Sequence, residues 1–207
     1  MLDYICIPVG MIQSNSYVLR DQASGALALI DCGHFNRRVR EAVEERGGDL
    51  RFILLTHGHF DHVQGVAEVK QRYPGARVCI GAEDEDYLSG KRQSLPGWSS
   101  RHEKACAADQ LLRGGDIIAL GESRLRVIAA PGHTPGGVCF RAEADGLLFT
   151  GDTLFRGDCG RVDLPGGDWT TLQATLRALA ALEGNDTVLP GHGEASSLAQ
   201  ERLNIRF

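Results

Sequence analysis

Apolar residues recur along the chain with two different periods, and these periods predict where its strands and helices lie. Three short apolar runs, separated by turn-forming residues, open the chain at positions 4–9, 17–20 and 26–30. Residues 35–46 carry apolar side chains at helical spacing among charged ones, and Gly47-Gly48 follows them. We predict an antiparallel meander of three strands, followed by an amphipathic helix.

The middle of the chain alternates strands with helices. Positions 52–55 are apolar on both faces of the pleat, which is typical of a strand covered on both sides, and they lead directly into Thr56. A helix over 62–73, a strand over 77–80 and a helix starting near residue 82 are expected next. Residues 89–110 show no sustained period and predict a long loop.

The second half of the chain returns to strands. They are predicted at 117–120, 124–129, 138–141 and 147–149, before a helix over 169–182 and a last strand over 187–189. Strand runs flanked by helices at both ends of the sequence favour two sheets packed face to face with helices outside. No linker or convincing internal repeat divides the chain, so we expect a single domain over residues 1–207.

Composition and charge narrow the possible functions. Hydrophobic residues make up 43% of the chain, enough for one sizeable core, and the net charge of -5 without a strong basic run argues against nucleic-acid binding. The first six residues lack the pattern of a secretory signal, and no segment approaches membrane-spanning length, so a cytoplasmic protein without a membrane segment is expected. The six cysteines form no C-x-x-C pair and are expected to be reduced and mostly buried.

Five of the seven histidines lie where apolar runs end in turns. Three stand in Thr-His-Gly-His-Phe-Asp-His, one in Pro-Gly-His-Thr-Pro-Gly and one in Pro-Gly-His-Gly; they are His57, His59, His62, His133 and His192. An isolated histidine is usually an ordinary core or surface residue. Five at strand ends indicate metal ligation instead.

The spacing of these residues suits two cations. His57 and His59 can converge on one cation if the backbone turns at Gly58, and imidazole nitrogens suit zinc. Asp61 and His62 offer a carboxylate and an imidazole to a second cation a few ångströms away.

Asp152 follows the predicted strand at 147–149 through Thr150-Gly151. An aspartate in this position can be a plain turn former. However, five histidines and Asp61 alone would lack an anionic bridge between two cations, and a carboxylate can supply one. We therefore predict Asp152 as the bridging ligand.

Four motifs in this order resemble the metallo-β-lactamase superfamily, specifically its glyoxalase II-like branch, over nearly the whole chain. They are Thr-His-Gly-His-Phe-Asp-His, Gly-His-Thr-Pro-Gly, Thr-Gly-Asp-Thr-Leu-Phe and Pro-Gly-His-Gly. The resemblance implies an α/β fold of the αββα type, with two mixed β-sheets flanked by helices. It implies two metals bridged by a hydroxide, one held by His57, His59, His133 and Asp152 and the other by Asp61, His62, Asp152 and His192.

The resemblance also suggests roles for two residues outside this ligand set. Asp31, in Leu-Ile-Asp-Cys-Gly, matches an aspartate that supports the site without ligating, with a plain turn aspartate as the alternative. Arg161 ends a segment that in glyoxalase II holds a carboxylate of the glutathione moiety, with an ordinary surface arginine as the alternative. His34 and His102 match no metal motif and are expected to be ordinary polar residues.

Residues 162–168 depart from the longer glyoxalase II enzymes and look more like short bacterial homologues, as do residues 200–204 near the end of the chain. Those longer enzymes carry a C-terminal helical domain that supplies much of the glutathione site, whereas one helix-length segment follows His192 here. Four basic side chains in the predicted 89–110 loop could supply replacement basic groups: Lys91, Arg92, Arg101 and Lys104. The simpler interpretation is a solvated surface loop.

The leading hypothesis is hydrolysis of a small thioester such as a hydroxyacylglutathione. Two divalent metal ions, with zinc expected and iron or manganese as alternatives, would lower the pKa of bound water toward about 7 and polarise the scissile carbonyl. Asp61 would orient the hydroxide as the catalytic residue.

A second hypothesis is an iron-dependent persulfide dioxygenase on the same fold, which the chain resembles at Cys159-Gly160-Arg161. One iron would then be held by His57, His133 and Asp152. A nucleic-acid-processing member of the superfamily fits poorly, because such chains carry a large inserted domain. A metal-binding module without catalysis would not need a second cation.

Overall fold

Two six-stranded sheets pack face to face in a computed structural model that describes residues 1–94 and 105–205. The first sheet keeps the sequence order of its strands: β1 (Leu2–Val9), β2 (Ser14–Asp21), β3 (Leu27–Ile30), β4 (Leu50–Leu54), β5 (Arg77–Gly81) and β6 (Gln110–Leu112). Strands β1 to β3 are antiparallel, which confirms the predicted meander, and β3 to β6 are parallel.

The second sheet has the order β12-β11-β10-β9-β8-β7 within the described residues. Its strands are β7 (Ile117–Leu120), β8 (Ser123–Ala129), β9 (Val138–Ala142), β10 (Leu147–Gly151), β11 (Thr187–Pro190) and β12 (Ser196–Ser197). Only β10 and β11 pair in parallel among these strands. Both sheets are therefore mixed, as the αββα prediction requires.

Helices cover the outer faces of the two sheets. They are α1 (Arg37–Glu45), α2 (Phe60–Val63), α3 (Val66–Arg72), α4 (Glu85–Leu88), α5 (Trp169–Ala180) and α6 (Leu198–Asn204). Apolar residues of α1 and α3 pack on the first sheet, and those of α5 and α6 pack on the second. A third cluster, including Phe140 and Phe149, fills the space between the sheets.

Three local features differ from the sequence prediction. The helix expected over 62–73 is broken, because the Gly65 N–H donates to Cys32 O (2.8 Å) instead of continuing a single helix. Strands β6 and β12 were not expected, since three and two residues are too few to show a period. Cys6 is exposed, contrary to the expected burial, and residues 95–104 of the predicted loop lie outside the described part.

Asp21 links the two sheets at the end of β2 farthest from Ser14. Its carboxylate accepts hydrogen bonds from the Ser24 N–H (2.9 Å), the Ser24 hydroxyl (2.6 Å), the Glu122 N–H (3.2 Å) and the Ser123 hydroxyl (2.7 Å). The Ser24 hydroxyl above all holds the pKa of Asp21 well below its usual range.

Within residues 1–94 and 105–205, every helix is too short or too polar to span a bilayer.

Candidate metal centre

The predicted ligands converge because strand ends from both sheets meet at one edge of the sandwich. His57 follows β4 in the first sheet, while Asp152 and His192 follow β10 and β11 in the second. The backbone joins the sheets there, since the Asn15 N–H donates to Gly191 O (2.7 Å) and Ser14 forms a bridge with His192. This contact places residues that are far apart in sequence around one volume.

Three imidazoles form what we call the first group: His57, His59 and His133. One ring nitrogen from each lies within 4.8 Å of the others. The Nε2 atoms of all three are buried and make no hydrogen bond within the described residues. A buried ring nitrogen without a partner is costly unless something binds it, so this arrangement fits a cation held by three imidazoles.

A second group lies beside the first and consists of Asp61, His62 and His192. Asp61 Oδ2 is 3.2 Å from His192 Nε2 and 3.3 Å from His62 Nε2. The ring nitrogens of His62 and His192 are 3.2 Å apart. One carboxylate and two imidazoles at these distances fit a second divalent cation.

Asp152 lies between the two groups. Its Oδ2 is 3.6 Å from His133 Nε2 and 3.5 Å from His192 Nε2, and its Oδ1 is 3.3 Å from His62 Nε2. A single carboxylate therefore faces an imidazole of each group. This position fits the bridging role, and the ligand set as a whole stays a prediction.

The charge states of the two groups differ. Burial lowers the pKa of His57 well below its ordinary value and that of His59 to about 3, so both rings are neutral and keep a lone pair for a cation. Burial also opposes charge on His62 and His192, but the neighbouring carboxylates outweigh it. They hold the pKa of His62 well above its ordinary value and raise that of His192 to about 9.

Asp31 supports the centre from behind His62. Its Oδ2 lies 2.9 Å from His62 Nδ1, which turns Nε2 of that ring toward the second group. The same carboxylate accepts from the Thr56 N–H (2.8 Å) and the Thr56 hydroxyl (2.7 Å). Its backbone has a φ of 54°, a left-handed conformation that aspartate tolerates better than most residues. This geometry fits the supporting role predicted for Asp31.

Two further contacts, which sequence reasoning missed, orient the first group. The Thr56 hydroxyl donates to Asp31, so it accepts from the Nδ1–H of His57 at 3.0 Å. The Nδ1–H of His133 donates to the backbone carbonyl of Arg161 (2.7 Å). Each bond leaves Nε2 of its ring free to bind a cation.

Gly58 is needed for a close side-chain contact and not, as the sequence suggested, for an unusual dihedral. Its φ is not positive. A Cβ added there would lie 2.5 Å from Cβ of Tyr87, so only glycine leaves space for that side chain. The ring of Tyr87 packs edge-on against His59 with centroids 5.9 Å apart.

A cleft of about 520 Å³ opens beside the two groups. Its lining includes the apolar side chains of Ile12, Phe60, Phe155 and Leu164. Arg161 also lines the cleft, but its guanidinium makes two hydrogen bonds of 2.6 Å to the carboxylate of Asp163. A substrate carboxylate at Arg161 must therefore compete with Asp163.

The remaining candidates lie elsewhere. His34 is exposed, as an ordinary polar histidine should be. Lys91 is ion-paired with Glu85 (3.4 Å), and the guanidinium of Arg92 stacks over the ring of Tyr87 (5.2 Å). The predictions for Arg101, His102 and Lys104 fall outside the described residues.

Comparison with known families identifies this architecture. The sequence model of the metallo-beta-lactamase superfamily matches residues 9–192 of this chain. The chain belongs to the metallo-β-lactamase superfamily. The match covers most of the chain and all seven predicted ligands.

Similar proteins indicate to which branch of the superfamily the chain is related. The chain is 34% identical over 207 residues to the hydroxyacylglutathione hydrolase GloC of Haemophilus influenzae, covering 97% of this chain and 95% of that protein. Its structure is similar to that of the BLEG-1 B3 metallo-beta-lactamase, with a TM-score of 0.87, 30% identity and coverage of 97% and 96% of the two chains. It is also similar to TTHA1623 in a di-iron-bound form, with a TM-score of 0.83, 32% identity and coverage of 95% and 96%. These matches confirm the glyoxalase II-like resemblance and support a metal-dependent hydrolase with a small-molecule substrate.

Proposed function

We propose that this chain is a two-metal hydrolase that cleaves a small thioester of the hydroxyacylglutathione type. The observation that carries the proposal is the first group, whose three buried Nε2 atoms have no hydrogen-bond partner in the described part of the chain. They lie beside a carboxylate, Asp152, that also faces the second group. The similarity to the hydroxyacylglutathione hydrolase of Haemophilus influenzae supports the choice of a thioester.

The proposed ligands divide between the two cations. The first group and Asp152 would hold one, and the second group and Asp152 would hold the other. Two bound divalent cations, for which zinc is the expected metal and iron the main alternative, supply hydroxide at neutral pH and polarise a carbonyl. The di-iron form of the similar TTHA1623 is the reason to keep iron as the alternative.

The protein's own groups position the reactants. Asp61 is ionised, because the charge of His62 and hydrogen bonds from both histidines outweigh the effect of burial and keep its pKa below the usual range. Its carboxylate accepts a hydrogen bond from the attacking water and so orients it. The apolar side chains of Phe60, Phe155 and Leu164 pack beside the acyl group and exclude bulk water.

Anaerobic thiol release tests this proposal. Zinc- or iron-loaded protein is mixed with S-lactoylglutathione without oxygen, and thiol and acid are both quantified. We expect one thiol for each acid, a large loss in Asp61→Asn and no loss in Asp21→Asn, a matched control whose carboxylate lies at the far end of β2. Oxygen uptake with glutathione persulfide, together with no anaerobic thiol release, would overturn the hydrolase in favour of a dioxygenase.

A further inference from the structure

Asp84 lies between the two loops that carry the first group, although it is not one of the predicted ligands. Its carboxylate accepts a hydrogen bond from the Gly58 N–H (2.8 Å) and another from the Gly136 N–H (2.7 Å). Gly58 separates His57 from His59, and Gly136 follows His133 by three residues. One side chain thus joins the backbones on both sides of the first group.

The fit at Gly136 is close. A Cβ added there would lie 2.4 Å from the backbone nitrogen of Asp84 and 2.8 Å from its Oδ1. Only glycine therefore allows the loop after His133 to approach the carboxylate. Gly136 and Asp84 are 52 positions apart, so the contact is made by the fold and not by a local turn.

The burial of Asp84 needs an explanation beyond stability. The residue is fully buried, and among the described residues no lysine or arginine forms an ion pair with it. Burial raises the pKa of the carboxyl, and the Thr134 side chain and the two glycine N–H groups act in the opposite direction. A buried, unpaired carboxylate is costly. Both of its backbone partners, the Gly58 and Gly136 N–H groups, belong to the loops that carry the first group.

We propose that Asp84 is a positioning residue that fixes the separation of the Gly58 and Gly136 loops, so that the three Nε2 atoms of the first group converge before a cation binds. The inference rests on the metal centre of the proposed function but not on the identity of its substrate. Outer contacts of this kind commonly change metal affinity when they are removed.

The substitution Asp84→Asn tests the role. An amide can accept from only one of the two glycine N–H groups through its oxygen and presents an NH₂ to the other. We expect zinc titration in competition with a chelator to give two dissociation constants, one of them weakened by about 10-fold to 100-fold. The other constant should stay within about 3-fold, because the second group does not touch Asp84. The visible absorption of bound Co²⁺ should change as well.

Asp21→Asn is the matched control, since Asp21 is another buried carboxylate with two backbone N–H partners, Ser24 and Glu122. It should leave both zinc constants unchanged. Unchanged constants in Asp84→Asn would overturn the proposal. Equal weakening of both constants would overturn it too, because that result indicates a general loss of structure.

A measurement on the unchanged chain covers the case in which Asp84→Asn does not fold. Amide hydrogen exchange at Gly58 and Gly136 should be equally slow with and without zinc, because Asp84 holds both N–H groups in either state. Fast exchange without zinc would show that the metal organises the loops and would overturn the role of Asp84. Failure of thioester cleavage alone counts against the proposed substrate and not against this role, which is read from zinc binding and exchange.

Discussion

Replacing Asp31 with asparagine is the sharpest single perturbation of the centre. Asn matches Asp in size and tolerates the left-handed backbone at this position, where φ is 54°. Alanine would add backbone strain there. The substitution therefore changes the hydrogen-bond chemistry behind His62 while leaving the fold's geometry nearly intact.

Neither orientation of the new amide can restore the three contacts that Asp31 makes. With its oxygen toward the Thr56 N–H, its NH₂ faces His62 Nδ1, so the Nδ1–H loses its acceptor. A neutral ring then carries its proton on Nε2, the nitrogen that faces the second group. With its oxygen toward His62, its NH₂ faces the buried Thr56 N–H, which loses its acceptor. Either mismatch costs about 1–3 kcal/mol.

We expect Asp31→Asn to bind zinc about 10-fold to 100-fold more weakly, as is typical for loss of such a supporting contact. The melting temperature of the metal-free chain should fall by about 2–12 °C, given about 2–4 °C per kcal/mol for a chain of this size. Chelator competition and thermal unfolding measure the two effects. Unchanged zinc affinity in a folded Asp31→Asn protein would refute the reasoning.

Five further substitutions test the metal ligands, the substrate site and the contact between the sheets. Asp152→Ala should weaken binding of both cations, because this carboxylate faces both groups, whereas Asp61→Ala should weaken mainly one; equal metal content in elemental analysis would contradict these roles. Arg161→Ala should raise KM for S-lactoylglutathione more than it lowers kcat, because a clamp on a remote carboxylate binds substrate and transition state about equally. Asp163→Ala should lower that KM, because it frees the Arg161 guanidinium to bind the substrate. If steady-state kinetics show no change in KM for either variant, Arg161 does not contact the substrate. Asp21→Asn should lower the free energy of unfolding by about 1–3 kcal/mol at pH 7. Because the pKa of Asp21 is lower in the folded state, its contribution to stability is complete above the unfolded pKa of about 3.9 and is lost as pH falls toward the folded pKa. Urea unfolding measures this difference. If Asp21→Asn stays less stable than the unchanged chain at low pH, the interpretation is wrong.

The candidate ligands could be predicted because each lies in a short local string at the end of an apolar run. His133 and Asp152, for example, follow β8 and β10, and the sandwich brings such ends together at one edge. The packing of two sheets face to face and the outer position of the helices were predicted from the alternation of strands and helices. Local patterns were sufficient for this part of the structure.

Long-range contacts account for what the sequence did not reveal. Asp84 stands in an acidic run, Ala-Glu-Asp-Glu-Asp-Tyr, in which Glu83 and Asp86 are exposed while Asp84 is buried. Nothing local distinguishes the three, because the backbone partners of Asp84 are Gly58 and Gly136, which lie 26 and 52 positions away. The pairing of Arg161 with Asp163 depends likewise on the path of a glycine-rich loop, which no periodicity describes.

The central claim is that the first and second groups each hold one cation, with Asp152 between them. A crystal of the zinc-loaded chain, with anomalous data collected on both sides of the zinc absorption edge, tests this claim most directly. We expect two anomalous peaks about 3.5–4 Å apart, one against each group. A single peak, or peaks that lie away from these residues, would contradict the two-metal centre.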